Sequence, residues 1–216
     1  MDSLKRVLLG ILLVLASYLS VGYFLHLIVF PEARPDIETY FEPGDVIDSE
    51  AGGTTLTVER QEGDHLILTL EVAPHSEGPP LHIHTGWEET FIIESGKINL
   101  HVNGEEKVLE AGERFTVLPG TPHRPYNSFD EPAVISGVAM PAQFVVYLNQ
   151  AYGFLEEDPD NATPPEIIFQ MAMFNPYFDS YLGEGPPVMV QKVQNFLLVP
   201  LARLMGYKSY YEKYKL

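Results

Sequence analysis

The chain has 216 residues, 45% of them hydrophobic, a formal charge of −17 and no cysteine. That length fits one domain with an appendage and a core that needs no staples. The missing cysteines exclude disulfides, thiolate nucleophiles, Fe–S clusters and sulfur-ligated zinc. Charge excludes more: residues 1–30 are net +1 and 188–216 net +4, which leaves −22 on 31–187. Such an acidic surface repels phosphate backbones and argues against nucleic acid as a partner.

Val7 to Phe30 is an apolar run without acid, Lys or Arg. As a helix it would extend ~36 Å, enough to cross a ~30 Å hydrocarbon layer with some tilt. Lys5 and Arg6 precede it, and Glu32, Asp36, Glu38 and Glu42 crowd its far side. The positive-inside rule then predicts a single-pass membrane protein, N-terminus cytoplasmic and remaining domain extracytoplasmic. A cleaved signal peptide is the competing reading, with Ser20-Val21-Gly22 as the best small-residue site; the run continues well past a usual secretory apolar region. His26, within the run and near its outer end, reads as a neutral imidazole without a role of its own. Pro31 and Pro35 punctuate an acidic linker over 31–43.

From residue 44 to 141 short β-type runs alternate with turn residues. Thr54–Arg60 and Leu66–Val72 flank Gly63-Asp64; Phe91–Glu94, Lys97–Val102, Lys107–Leu109, Arg114–Leu118 and Ala133–Ala139 follow. Asn103-Gly104 is a two-residue hairpin signal. About eight strands with no intervening helix predict an antiparallel barrel or sandwich.

Strand residues two apart share a face, so His82 and His84 would present their imidazoles together. Glu89 lies five residues on, and His123 follows the turn Pro119-Gly120-Thr121-Pro122. If the barrel closes, these four converge from neighbouring strands. Three imidazoles and a carboxylate suit one divalent transition metal, Fe, Mn, Co, Ni, Cu or Zn, with positions left for substrate. Alone, a His-x-His pair is more often a surface pair.

The whole pattern resembles the cupin superfamily. His82, His84, Glu89 and Gly96 stand at the spacing of its first motif, although Gly78 lies nearer His82 than usual. Gly112, Gly120, His123 and Asn127 follow its second, with Leu118 where a proline is expected. The resemblance covers about 70 residues. It implies a mainly β fold, a double-stranded β-helix (jelly-roll) barrel, with His82, His84, Glu89 and His123 as metal ligands and Fe or Mn foremost. Glu88 remains the alternative carboxylate; the spacing to Gly96 favours Glu89, which sends Phe91 and Ile93 inward with it. Trp87 would floor the pocket or cap the barrel. Arg124 and Tyr126 would orient an anionic or phenolic substrate, or pack the rim. His65, His75 and His101 fall outside the motif, His101 reading as a hydrogen-bonded structural residue. Family members often pair through their sheets, so a homodimer is an expectation.

After Pro141 the spacing becomes helical, an α-helical extension over 142–216. Phe144, Leu148, Ala151 and Leu155 stripe a first helix that ends at Glu156-Glu157-Asp158-Pro159. Thr163-Pro164-Pro165-Glu166 reads as a capping box opening a second, with Ile167, Met171 and Phe174 buried and Asn175-Pro176 stopping it. Pro187 opens a third, with Met189, Val193, Phe196, Pro200 and Leu204 on one side and Gly206 beyond its end. Its apolar face would pack on the barrel or a second subunit, or lie in the bilayer interface beside the anchor. Asn161-Ala162-Thr163 is a glycosylation sequon by letter.

Two classes of function fit. One is a metal-dependent enzyme, an oxygenase on a small organic substrate with Glu89 doubling as base, or an isomerase or lyase using the metal as a Lewis acid. The other is a membrane-tethered small-molecule-binding protein without catalysis, or a structural cupin with an idle metal.

Overall fold

The computed structural model describes residues 2–29, 31, 33–49 and 52–216. Phe30 and Glu32, named above at the end of the apolar run and in its acidic exit, lie outside them. Helix α1 (Asp2–Ser20), a π-helical turn (Val21–Leu25) and α2 (His26–Val29) follow one another. Within them Ser3–Ile28 is long and apolar enough to cross a membrane, and Leu8, Ile11, Leu12 and Val14 are exposed.

Two antiparallel sheets make the jelly roll. One sheet has the order β1-β2-β3-β10-β5-β8, built from β1 (Val46–Ser49), β2 (Thr54–Glu62), β3 (His65–Val72), β10 (Ala133–Pro141), β5 (Glu89–Ser95) and β8 (Arg114–Val117). The other has the order β11-β4-β9-β6-β7: β11 (Tyr181–Leu182), β4 (His82–Ile83), β9 (His123–Tyr126), β6 (Lys97–Val102) and β7 (Glu105–Glu110). Period-two alternation decides what faces inward. Leu66, Leu68, Leu70 and Val72 of β3 are buried, as are Ile98, Leu100 and Val102 of β6; each contributes roughly 1.5–3 kcal/mol on leaving water. The β6–β7 hairpin turns on Asn103 and Gly104, both at positive φ (51° and 84°), as a type I′ turn requires.

The extension is helical as expected: α3 (Ala142–Glu157), α4 (Glu166–Phe178) and α5 (Val188–Leu204). It shares the barrel's core rather than leaning on it. Phe144, Val145, Phe174, Phe178 and Tyr210 join one buried cluster with the strand residues, and so do Tyr40 and Phe41 from the segment read as linker.

Three details depart from the sequence reading. The capping box does not form: Thr163 Oγ1 donates to the Asp160 carbonyl, closing the preceding turn, and α4 starts after Pro165 without a side-chain cap. Pro176 does not stop α4. It sits in the last turn, and the chain leaves the helix through Asp179 at φ 43°. The buried side of α4 centres on Gln170, Ala172, Met173, Phe174, Asn175 and Phe178, with Ile167 and Met171 only half-buried.

Candidate metal centre

Strands β4 and β9 pair with His82 directly opposite His123. Glu89 enters from the facing sheet as the first residue of β5, and His84 follows one residue after β4. The ring centroids are 4.3 Å apart for His82–His123, 4.8 Å for His82–His84 and 5.3 Å for His84–His123. One ligand atom from each of the four residues lies within 4.8 Å of all the others. Donors on opposite sides of one ion, with bonds of ~2.1 Å, stand ~4.2 Å apart. The cluster therefore has nearly the dimensions of a coordination shell. Glu88, one residue earlier, is exposed, whereas Glu89 is buried with Phe91 and Ile93 as parity demands.

The three imidazoles are oriented alike. Nδ1 of His82 bonds the Pro80 carbonyl (2.9 Å), that of His84 the Asp179 carbonyl (3.0 Å) and that of His123 the Thr121 carbonyl (3.0 Å). Carbonyls only accept, so Nδ1 carries the proton in each ring and Nε2 is left as the coordinating atom. Nε2 of His123 meets Glu89 Oε2 at 2.8 Å. Nε2 of His84 is 3.9 Å from the same oxygen and, though buried, has no hydrogen-bond partner among the described residues. A buried polar atom left this way costs about 1–3 kcal/mol, and a cation beside Glu89 would satisfy it.

Burial, reinforced by the other two imidazoles, pushes His82 down to about 3. Burial also pushes His84 down to about 4. Both are thus neutral, the form that binds metal. For His123 burial works the same way, but the hydrogen bond and charge of Glu89 outweigh it and its pKa is raised. With Nδ1–H given to Thr121, the 2.8 Å contact between His123 Nε2 and Glu89 Oε2 needs one further proton between them, and a divalent cation held by both would take that proton's place. The donor set fits a divalent transition ion.

A second layer comes from the helical extension. The Asp179 carboxylate accepts from Thr85 N (2.8 Å), Gly86 N (2.7 Å) and Thr85 Oγ1 (2.5 Å) while its own carbonyl holds His84, 95 residues away. Trp87 stacks on the His84 ring at 4.2 Å, and Phe144 meets both edge-on or tilted. Phe178 stacks on Phe144 in turn. His82 is half-buried, whereas the other three are buried. Gly78, ahead of β4, is needed where the chain passes β9: a Cβ would stand 2.0 Å from the Pro125 carbonyl oxygen, and φ is +67°.

The remaining candidates lie elsewhere. Arg124 is tied to the backbone carbonyl and carboxylate of Glu77, and Tyr126 donates to Glu106, so both secure the rim. His65, His75 and His101 pair with Asp64, Asp130 and Glu106. The amide nitrogen of Asn161 donates to the Phe154 carbonyl. Asp179, Phe144 and Phe178 were absent from the sequence reading of the site; nothing in their local sequence points to His84.

Residues 68–140 match the family model described as a cupin domain. Over 70 residues the chain is 30% identical to the quercetin 2,3-dioxygenase of Bacillus subtilis (strain 168), a stretch amounting to 32% of this chain and 21% of that protein. The chain thus spans about a fifth of the length of the curated relative it matches. Among solved structures it is similar to a conserved protein with a double-stranded β-helix domain from Klebsiella pneumoniae, at 26% identity and a TM-score of 0.37 over 51% of this chain and 92% of that one. A cupin-2 domain containing protein from Shewanella frigidimarina gives 22% identity and a TM-score of 0.35 over 40% and 78%. Residues 68–140 thus form a cupin domain within the chain.

Proposed function

We propose that His82, His84, Glu89 and His123 bind one divalent metal ion, iron or manganese, in a membrane-anchored oxygenase for a small organic substrate. The observation that carries this reading is the common orientation of the three imidazoles. Each spends Nδ1–H on a backbone carbonyl and directs Nε2 toward the cluster around Glu89. Bound there, the ion would supply Lewis acidity and access to O₂ chemistry.

The chain's own residues do the rest. Trp87 and Phe144 exclude water from the His84 side, and substrate enters past His82. Glu89, the one acid of the four, is the catalytic residue and takes up the substrate's proton. The relative named quercetin 2,3-dioxygenase, alike over 70 residues, favours O₂ chemistry over isomerase or lyase chemistry.

The membrane part of the reading rests on packing as well as hydropathy. Tyr18 and Tyr23 donate to the carbonyls of Leu197 and Phe196 in α5, and Gly22 lies against Pro200. A cleaved leader is not built into the mature fold, so these contacts support an uncleaved anchor. With Lys5 and Arg6 before the span, the N-terminus is cytoplasmic and the barrel extracytoplasmic. The chain then divides into an anchor (1–30), a linker (31–43), the barrel (44–141) and the helical extension (142–216).

Elemental analysis of the full chain, purified in detergent without added metal, tests the site. Stoichiometric iron or manganese is expected, and its loss in His123→Ala. O₂ uptake with quercetin as the first substrate tests the activity. No metal after reconstitution with several divalent ions would overturn the first claim. A loaded protein that consumes no O₂ across a panel of small phenols and enols would overturn the second.

A further inference from the structure

The exposed apolar surface of α5 points to a second membrane contact. Val190, Val193, Leu197, Leu201 and Leu204 recur at spacings of three and four, so they form one stripe, and they are between 38% and 71% exposed. The opposite side of the helix carries the buried Gln191, Val199 and Ala202, which face α4 and the barrel end. A solvated helix would place charge on the outer face. Along this stripe there is none.

The contacts between α5 and the anchor fix where the stripe lies. Tyr18 and Tyr23 bond the carbonyls of Leu197 and Phe196, Tyr23 and Phe196 stack at 5.1 Å, and Arg203 Nη1 donates to the Gly22 carbonyl at 3.2 Å. Gly22 makes this approach achievable, since a Cβ there would stand 2.0 Å from Pro200 Cβ. All these contacts fall between Tyr18 and Tyr23, so α5 meets the anchor at one level. A ~30 Å core takes ~20 helical residues; counted from Val7, just after Lys5-Arg6, it ends near His26. The contacting residues, Tyr18 to Tyr23, are then ~5–12 Å inside the outer boundary at 1.5 Å per residue. Interfacial helices bury their apolar faces by roughly 5–10 Å. Phe24, Leu27 and Ile28 of the anchor are also more than half exposed.

We propose that α5 lies in the outer interface of the bilayer that the N-terminal helix crosses, with Val190, Val193, Leu197, Leu201 and Leu204 in contact with lipid. The cupin domain is then held against the surface at two places, in a fixed orientation, rather than swinging on a tether. This inference rests on the anchor reading above, and the experiment separates the two.

The chain has no cysteine, so a single introduced one can be labelled cleanly. Full-length Leu12→Cys, Val193→Cys, Leu204→Cys and, as an aqueous reference, Glu105→Cys are labelled with an environment-sensitive fluorophore in phosphatidylcholine–phosphatidylglycerol vesicles. Unchanged Trp87 emission certifies the fold of each. The expected result is loss of label emission with nitroxide-bearing lipids and protection from iodide at 12, 193 and 204, with the reverse at 105. Quenching by lipid at 12 but by iodide at 193 and 204 would overturn the interfacial placement and leave the anchor standing. Iodide quenching at all four positions would overturn both. Labels at 193 and 204 shielded from both quenchers, with a disulfide-linked dimer from unlabelled Leu204→Cys, would give the stripe to a second copy and also overturn the proposal.

Discussion

In the barrel, backbone groups pair with one another along ladders such as β2–β3 and β6–β7. In the helical extension, the corresponding groups are met by single buried amides. Gln150 receives Tyr211 N on Oε1 and donates Nε2 to the carbonyl of the same residue. Gln191 does the same for Leu182, accepting from its N–H and donating to its carbonyl. Gln170 donates to the Lys208 carbonyl, and Asn149 to that of Tyr214. Each glutamine acts as one rung of a strand that is not there. A ladder loses one rung of many when a residue changes, whereas these tail segments hang on individual side chains. The metal cluster lies where the two schemes meet, three of its members on barrel strands or at their ends and its His84 held from the extension.

Removing core from either side is the strongest way to test that division. Leu68→Ala in the barrel and Phe144→Ala in the extension should each destabilise the fold, by roughly 2–5 and 3–5 kcal/mol. In metal titrations below the melting transition Leu68→Ala should bind as the parent does, and Phe144→Ala should bind more weakly, because Phe144 packs on the His84 ring. Equal affinities would mean that the extension is a passive cover. Next in size, Gln150→Leu removes both side-chain bonds to the Tyr211 backbone, whose carbonyl still accepts from Tyr214 N, at about 1–3 kcal/mol. Hydrogen exchange should accelerate in residues 207–216 and stay unchanged in β2, β3 and β6; acceleration in the strands would refute the separation.

A finer test removes the carboxylate beneath His84. Asp179→Gly keeps the left-handed backbone but releases Thr85 and Gly86. Second-layer losses of this kind weaken metal binding by roughly 10–100-fold, here with little change in melting temperature. The smallest effect is on pH. His82 and His84, held down to about 3 and about 4 by burial, stay neutral in the fold but take up protons near pH ~6.5 when unfolded. The unfolded chain then binds more protons, so these two groups remove stability as pH falls from ~6.5 toward the folded values. His123, whose pKa is raised, works the other way and offsets part of this. In chelator-treated protein, His84→Gln should therefore lose less melting temperature than the parent between neutral and mildly acid pH. An identical slope in the two would count against the burial argument.

Much of the barrel was legible because alternation and turn chemistry are local. Lys97–Val102 appears at the expected bounds, and Asn103-Gly104 makes the expected turn. The convergence of the four residues was legible for the same reason: period two places His82 with His84, and Glu89 with Phe91 and Ile93. Strand β9 was missed because Pro125 and the preceding Pro-Gly-Thr-Pro turn read as loop, although its register opposite His82 is what delivers His123. Strand β11 and Asp179 were missed for a deeper reason. Two residues carry no period, and what makes them matter is a partner about a hundred positions earlier. The capping-box reading failed at Thr163 because its hydroxyl found a nearer carbonyl at Asp160, the local competition typical of this residue.

The pairing of β11 with β4 also sets an order in time. The barrel's own strands are complete when the chain has been made to Pro141, but the strand that covers β4 begins at Tyr181. At roughly 5–20 residues per second, those 40 residues leave the β4 edge bare for ~2–8 s on each nascent chain. An uncovered edge is a template for pairing with another chain. Through that interval His84 has no Asp179 carbonyl to hold its Nδ1, so it is the last of the four to be set. Maturation of the metal site is thereby tied to completion of synthesis, and a chain cut short after the barrel would carry the ligands without the means to hold them.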